Sequence, residues 1–142
     1  MLIAIAALIP GLASAQINSI EINQAIGVQK NNARKFVAGK STVVRALMAS
    51  AGTVDKSMTN AKVSRGGTLI ATLAPNDYSA PTAFVDFQCT NLDACGRWAA
   101  GSYTFDVTVN GVSKSTAGTT YDFVERKAVR ILAVPVKANY GG

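Results

Sequence analysis

The sequence predicts an all-β domain, an antiparallel sandwich of about seven strands, and three observations carry the prediction. Tyr103, Phe105, Val107 and Val109 alternate with Ser102, Thr104, Asp106 and Thr108, the period-two pattern of a strand with one buried and one wet face. Asn110-Gly111 follows at once, and both residues tolerate the positive φ that a two-residue hairpin turn requires. No amphipathic helix is legible after residue 16, while short alternating segments recur between turn-forming residues. With 142 residues, 49% hydrophobic and 15% charged, the chain can bury one core but not two full ones.

The elements follow in order. Met1–Ala15 combines an apolar run (MLIAIAALI), the helix-breaking Pro10-Gly11 and small residues at Ala13 and Ala15. These are the parts of a signal peptide cut after Ala15, with only the N-terminal amine as its positive charge. The run is too short to span a bilayer, which takes roughly 20 apolar residues. Ile20 and Ile22 alternate with Glu21 and Asn23 as a first strand. Thr42–Ser50 is another, and Arg45 on one side assigns the other side, with Val44 and Met48, to the core. Val63 and the run Leu69–Leu73 flank Arg65-Gly66-Gly67, a hairpin signal. Ala83, Val85 and Phe87 form the next strand, leading to Cys89.

Cys89 and Cys95 are an even pair in a chain with an export signal, so a disulfide is expected between them. It closes a short loop, Thr90–Ala94, and contributes on the order of 2 kcal/mol. Trp98 is expected to pack over the core rather than stack on a ligand. Tyr103, at the start of its strand, has the place of a tyrosine corner, whose hydroxyl ties back to nearby backbone. These features make the sandwich immunoglobulin-like, although the cysteine spacing is not that of an antibody-type inter-sheet bridge. After Asn110-Gly111 the return strand is expected over Gly118–Glu125, with Tyr121 and Phe123 on one face. Val129–Val136 alternates again, either as the first strand of a following domain or as an eighth strand of the same sandwich. The organisation read here is a signal peptide over 1–15, the sandwich over 16–126, and a linker with the start of a further domain over 127–142.

Chemistry is bounded mainly by residue types. There is no histidine, which excludes Ser-His-Asp and Cys-His nucleophiles and HExxH zinc sites within these residues. No SxxK motif occurs. Asp122 and Glu125 lie three apart on a strand and so on opposite faces. Asp77, Asp86 and Asp93 lack the spacing of a calcium loop. Ala38-Gly39-Lys40-Ser41-Thr42 resembles the tail of a phosphate-binding loop, but Arg34 holds the place of its first glycine and a strand follows. The expectation is a non-enzyme without cofactor. Net charge is +6, and no acid lies between Glu21 and Asp55, where Lys30, Arg34, Lys35, Lys40 and Arg45 all fall. A basic surface of these five residues would suit an acidic glycan or envelope component. Nucleic acid is not an expected partner, because only Phe36 is interleaved as a stacking platform.

The segments Glu21-Ile22-Asn23-Gln24-Ala25-Ile26 and Phe36-Val37-Ala38-Gly39-Lys40-Ser41-Thr42-Val43-Val44-Arg45 resemble the opening of immunoglobulin-like modules in large secreted bacterial proteins. Asn23 stands where Thr is common there, and Gly27 where Gln is common. In that family the module often precedes a domain assigned as a zinc metallopeptidase, whose first strand resembles Val129–Val136. The resemblance implies a non-catalytic accessory domain, secreted, periplasmic or at the cell surface, whose nearest partner is the following domain of the same polypeptide. It carries over no functional residue, since the family's zinc ligands would lie beyond Gly142. An envelope-binding module and a structural subunit pairing through sheet edges are the other functional expectations.

Overall fold

A computed structural model describes residues 16–24, 28–29, 35–88 and 98–126. Ten strands are present among them: β1 (Ile17–Asn23), β2 (Val28–Gln29), β3 (Phe36–Val37), β4 (Val43–Gly52), β5 (Asn60–Arg65), β6 (Thr68–Leu73), β7 (Thr82–Gln88), β8 (Gly101–Val109), β9 (Val112–Ser115) and β10 (Tyr121–Val124). They form two sheets, one ordered β2-β1-β4-β7 and the other β3-β10-β8-β5-β6, with β9 also paired to β8. Neighbours are antiparallel except β3 and β10, which run parallel. The sheets pack face to face as an immunoglobulin-like sandwich. The signal-peptide segment, Cys89 and Cys95 with their expected disulfide, and residues 127–142 lie outside the described residues.

Alternation places the core where the sequence predicts it. Tyr103, Phe105, Val107 and Val109 of β8 are all buried, facing Val44 and Ala46 of β4 and Val85 and Phe87 of β7 in the opposite sheet. Trp98 is buried, stacked 5.6 Å from the Tyr103 ring and tilted 5.1 Å from that of Phe123. The Tyr103 hydroxyl donates to the Ala99 carbonyl at 2.8 Å, the tie-back of a tyrosine corner. Phe36 completes the cluster, stacked 5.0 Å from Phe123. Removing a side chain from this aromatic set, as in Phe105→Ala, would cost about 3–5 kcal/mol.

Departures from strict alternation have local causes. In β1, Ile17 and Ile20 are both buried although three residues apart, because the pairing with β4 shifts between Ile17 and Ser19. In β6 a second shift sets Val63 opposite Ala71 and Ser64 opposite Leu69, with Ile70 as the extra residue. Leu73 is therefore buried while Leu69 and Ile70 are exposed. On β7, Ala83 is exposed, unlike Val85 and Phe87, because the pairing with β4 is interrupted between Leu47 and Gly52.

The return strand needs a correction. The chain comes back immediately as β9, with Val112 paired to Val109 and Ser115 to Asp106. It then breaks over residues 116–120 and resumes as β10, with Tyr121 paired to Tyr103. Thr116 makes the break: its amide donates to the Phe105 carbonyl at 2.8 Å, and its Oγ1 accepts the Phe105 amide at 2.9 Å. The expected strand over Gly118–Glu125 is thus the second half of the return. Its predicted inward pair, Tyr121 and Phe123, is correct.

Candidate functional site

The strand register assembles one constellation of ionised and aromatic groups, on the outer face of the first sheet. Glu21 of β1 is paired with Arg45 of β4, and Arg45 in turn with Asp86 of β7, so three charges lie in a row across three strands. Arg45 Nε and Nη2 donate to the two Asp86 carboxylate oxygens at 2.6 and 2.7 Å, a bidentate fork. The guanidinium sits 4.4 Å over the Phe84 ring. Tyr78 packs edge-on against Phe84, and its hydroxyl accepts the Asp86 amide at 2.6 Å. Glu21 is buried. The hydrogen bond to Asp86 is the main cause that raises the Arg45 pKa above its ordinary value, and burial is what raises that of Tyr78.

Of the five residues expected to form a basic surface, Lys30 and Arg34 lie outside the described residues. The other three are not gathered into one patch. Lys35 precedes β3 and reaches Asp122 of β10, 3.7 Å away, on the outer face of the second sheet. Lys40 is exposed in the turn after β3. Arg45 lies on the opposite outer face and is engaged by Asp86. Of the three aspartates weighed for calcium, Asp86 holds Arg45, Asp77 pairs with Lys56, and Asp93 lies outside the described residues. No group of three or more His, Cys, Asp or Glu side chains that could hold a metal occurs among the described residues.

Gln24 is a structural tie that sequence reasoning missed. Its side-chain amide donates to the Val37 carbonyl and accepts from the Val37 amide, at 2.9 and 2.8 Å, as a paired strand would. It also donates to Thr42 Oγ1 at 2.9 Å. The two segments that carry the family resemblance therefore meet in space through Gln24, Val37 and Thr42. Gly39 adopts φ +76° in the turn between them, and its amide donates to the Trp98 carbonyl at 2.9 Å.

A second amide, Asn110, fixes one end of the sandwich. Its backbone adopts φ +49° in the β8–β9 turn. Its Oδ1 accepts from the Asp55 amide at 2.8 Å, its Nδ2 donates to the Thr53 carbonyl at 2.8 Å, and its own amide donates to Thr59 Oγ1 at 3.0 Å. The connection between β4 and β5 is thereby stapled to the hairpin. Asp55 accepts from the Ser57 hydroxyl and amide, and these bonds hold its carboxyl below the usual range.

Among the described residues no helix is long and apolar enough to cross a membrane. Comparison with protein-family profiles, curated proteins and solved structures finds no match to this chain.

Proposed function

We propose that residues 16–126 form a non-catalytic accessory domain of an exported bacterial protein, followed on the same polypeptide by a metallopeptidase-type domain. The observation that supports the non-catalytic half is the closure of the Glu21–Arg45–Asp86 row. Its strongest donor is forked onto Asp86 and covered by Phe84, so the assembled charges serve to join three strands. The following domain rests on the resemblance, whose two segments are joined physically by the Gln24–Thr42 contact. The gene beyond codon 142 is expected to continue in frame into an HExxH motif, and a stop codon there would remove the peptidase reading. N-terminal sequencing of the exported product is expected to begin at Gln16. Peptide hydrolysis by purified residues 16–126 alone would contradict the assignment as non-catalytic.

A second reading, a structural subunit pairing through sheet edges, draws support from β6. This edge strand carries no charge or proline, and Leu69 and Ile70 are 54% and 41% exposed. Sedimentation would show a concentration-dependent dimer that Ile70→Lys dissolves. A monomer at every concentration would dispose of this reading.

A further inference from the structure

The end of the sandwich that Asn110 staples is also where the first sheet comes apart. Leu47 pairs with Phe84 and Gly52 with Thr82, so β4 advances five residues while β7 advances two. The excess length bows away from β7 and leaves a cavity of about 230 Å³. Met48, Val54, Val85 and Val109 supply its apolar wall, and Ser50, Thr53, Thr82 and Asn110 are among its polar lining residues. No Lys, Arg, Asp or Glu lines it.

We propose that this cavity is a binding site for a neutral single-ring aromatic molecule bearing one hydrogen-bonding substituent, in chemical class a phenol. Five features support the assignment, which goes beyond the accessory role. The volume exceeds the roughly 150 Å³ that accommodates a bare benzene ring, leaving room for a substituent. The uncharged lining cannot compensate the desolvation of an ionised ligand. The Met48 thioether offers a polarisable contact to a ring edge. At the rim, Thr82 Oγ1 is engaged with Phe84 and the Asn110 side chain with Thr53 and Asp55, so Ser50 and Thr53 are the hydroxyls that meet the substituent. By bonding to Thr53 and Asp55 on either side of Val54, the Asn110 staple also holds the Thr53–Val54 wall in place before any ligand arrives, which makes the site pre-formed.

The test uses the full chain with carbon-13 methyl groups on methionine, titrated with phenol, benzoate and cyclohexanol. Of the three methionines of the full chain, Met48 lines the cavity and Met58 does not, so Met48 reports the site and Met58 serves as reference, with the Met1 signal assigned by its substitution. Phenol is expected to shift the Met48 methyl saturably while leaving Met58 in place, with benzoate and cyclohexanol at least about tenfold weaker. A Cβ added at Gly52 meets nothing within 4 Å, so Gly52→Trp can place a ring over the cavity mouth and is expected to abolish the shift. Ser50→Trp repeats the block from a second position should Gly52→Trp fail to fold. Absence of saturation at Met48, equal shifts at Met58, equal binding of benzoate, or binding that persists in both folded tryptophan variants would each overturn the proposal.

Discussion

At Gln24 and Asn110 a side-chain amide stands in for backbone pairing that the chain itself does not supply. Gln24→Ala would strand the Val37 amide and carbonyl, and a loss of about 2 kcal/mol is expected from urea denaturation. Gln24→Glu should recover little, since a carboxylate accepts from Val37 but cannot donate to its carbonyl or to Thr42. Asn110 adds a conformational role. Asn110→Ala loses the side-chain bonds and places Cβ in the left-handed region, an expected cost of about 2–3 kcal/mol; Asn110→Gly should cost about 1 kcal/mol less. Two phenols, Tyr121 buried and Tyr78 half-buried, give a pH prediction. Burial raises the pKa of Tyr78 and Tyr121 above the usual 10.0, so their neutral forms are favoured in the folded state. Their contribution is complete below that value and is lost as pH rises beyond it. Absorbance at 295 nm should show late-ionising tyrosines, with unfolding promoted as they titrate; Tyr121→Phe should shallow the alkaline decline.

Among the elements, β4 is the strand that both neighbours in the first sheet depend on, and Arg45 is its cross-strand tie. A double-mutant cycle on Arg45→Ala and Asp86→Ala is expected to give a coupling of about 1 kcal/mol, modest because the arginine is one-third exposed. Arg45→Lys should recover little of it, as an ammonium has neither the fork nor the flat face that covers Phe84. The inward faces of β4, β8 and β10 were legible from the sequence because period-two alternation is a local property. Val44, Phe105 and Tyr121 could be assigned to the core without knowing any partner strand. What was not legible depends on register. The burial of Ile17, the exposure of Leu69 and Ile70, and the row Glu21–Arg45–Asp86 all follow from which residue stands opposite which. Arg45 was read as part of a basic surface for the same reason: its carboxylate partner lies 41 residues away in sequence. The split of the return strand into β9 and β10 combines Thr116, which bonds twice to Phe105, with a turn at Gly118 (φ +93°); the glycine is visible in the sequence, but the Thr116 pairing depends on register.

For the whole molecule, the claim is that residues 16–126 are a self-sufficient module. The second sheet, with Trp98 just ahead of β8, supplies a continuous aromatic core from Phe36 through Trp98, Tyr103 and Phe105 to Phe123, all drawn from within those bounds. Both sandwich ends that the described residues define are tied from within as well, one by the Gly39–Trp98 bond and the other by the Asn110 staple beside the cavity. An eighth strand of this sandwich is the alternative to reading Val129–Val136 as the start of a following domain, and it makes the opposite prediction about what the fold requires. The deciding measurement is urea unfolding of residues 16–126 beside residues 16–142, followed by the near-ultraviolet dichroism of Trp98. A single cooperative transition is expected in both, with the same native Trp98 signal and midpoints that coincide. A shorter chain that lacks the Trp98 signal, or unfolds without cooperativity while the longer one folds, would contradict it.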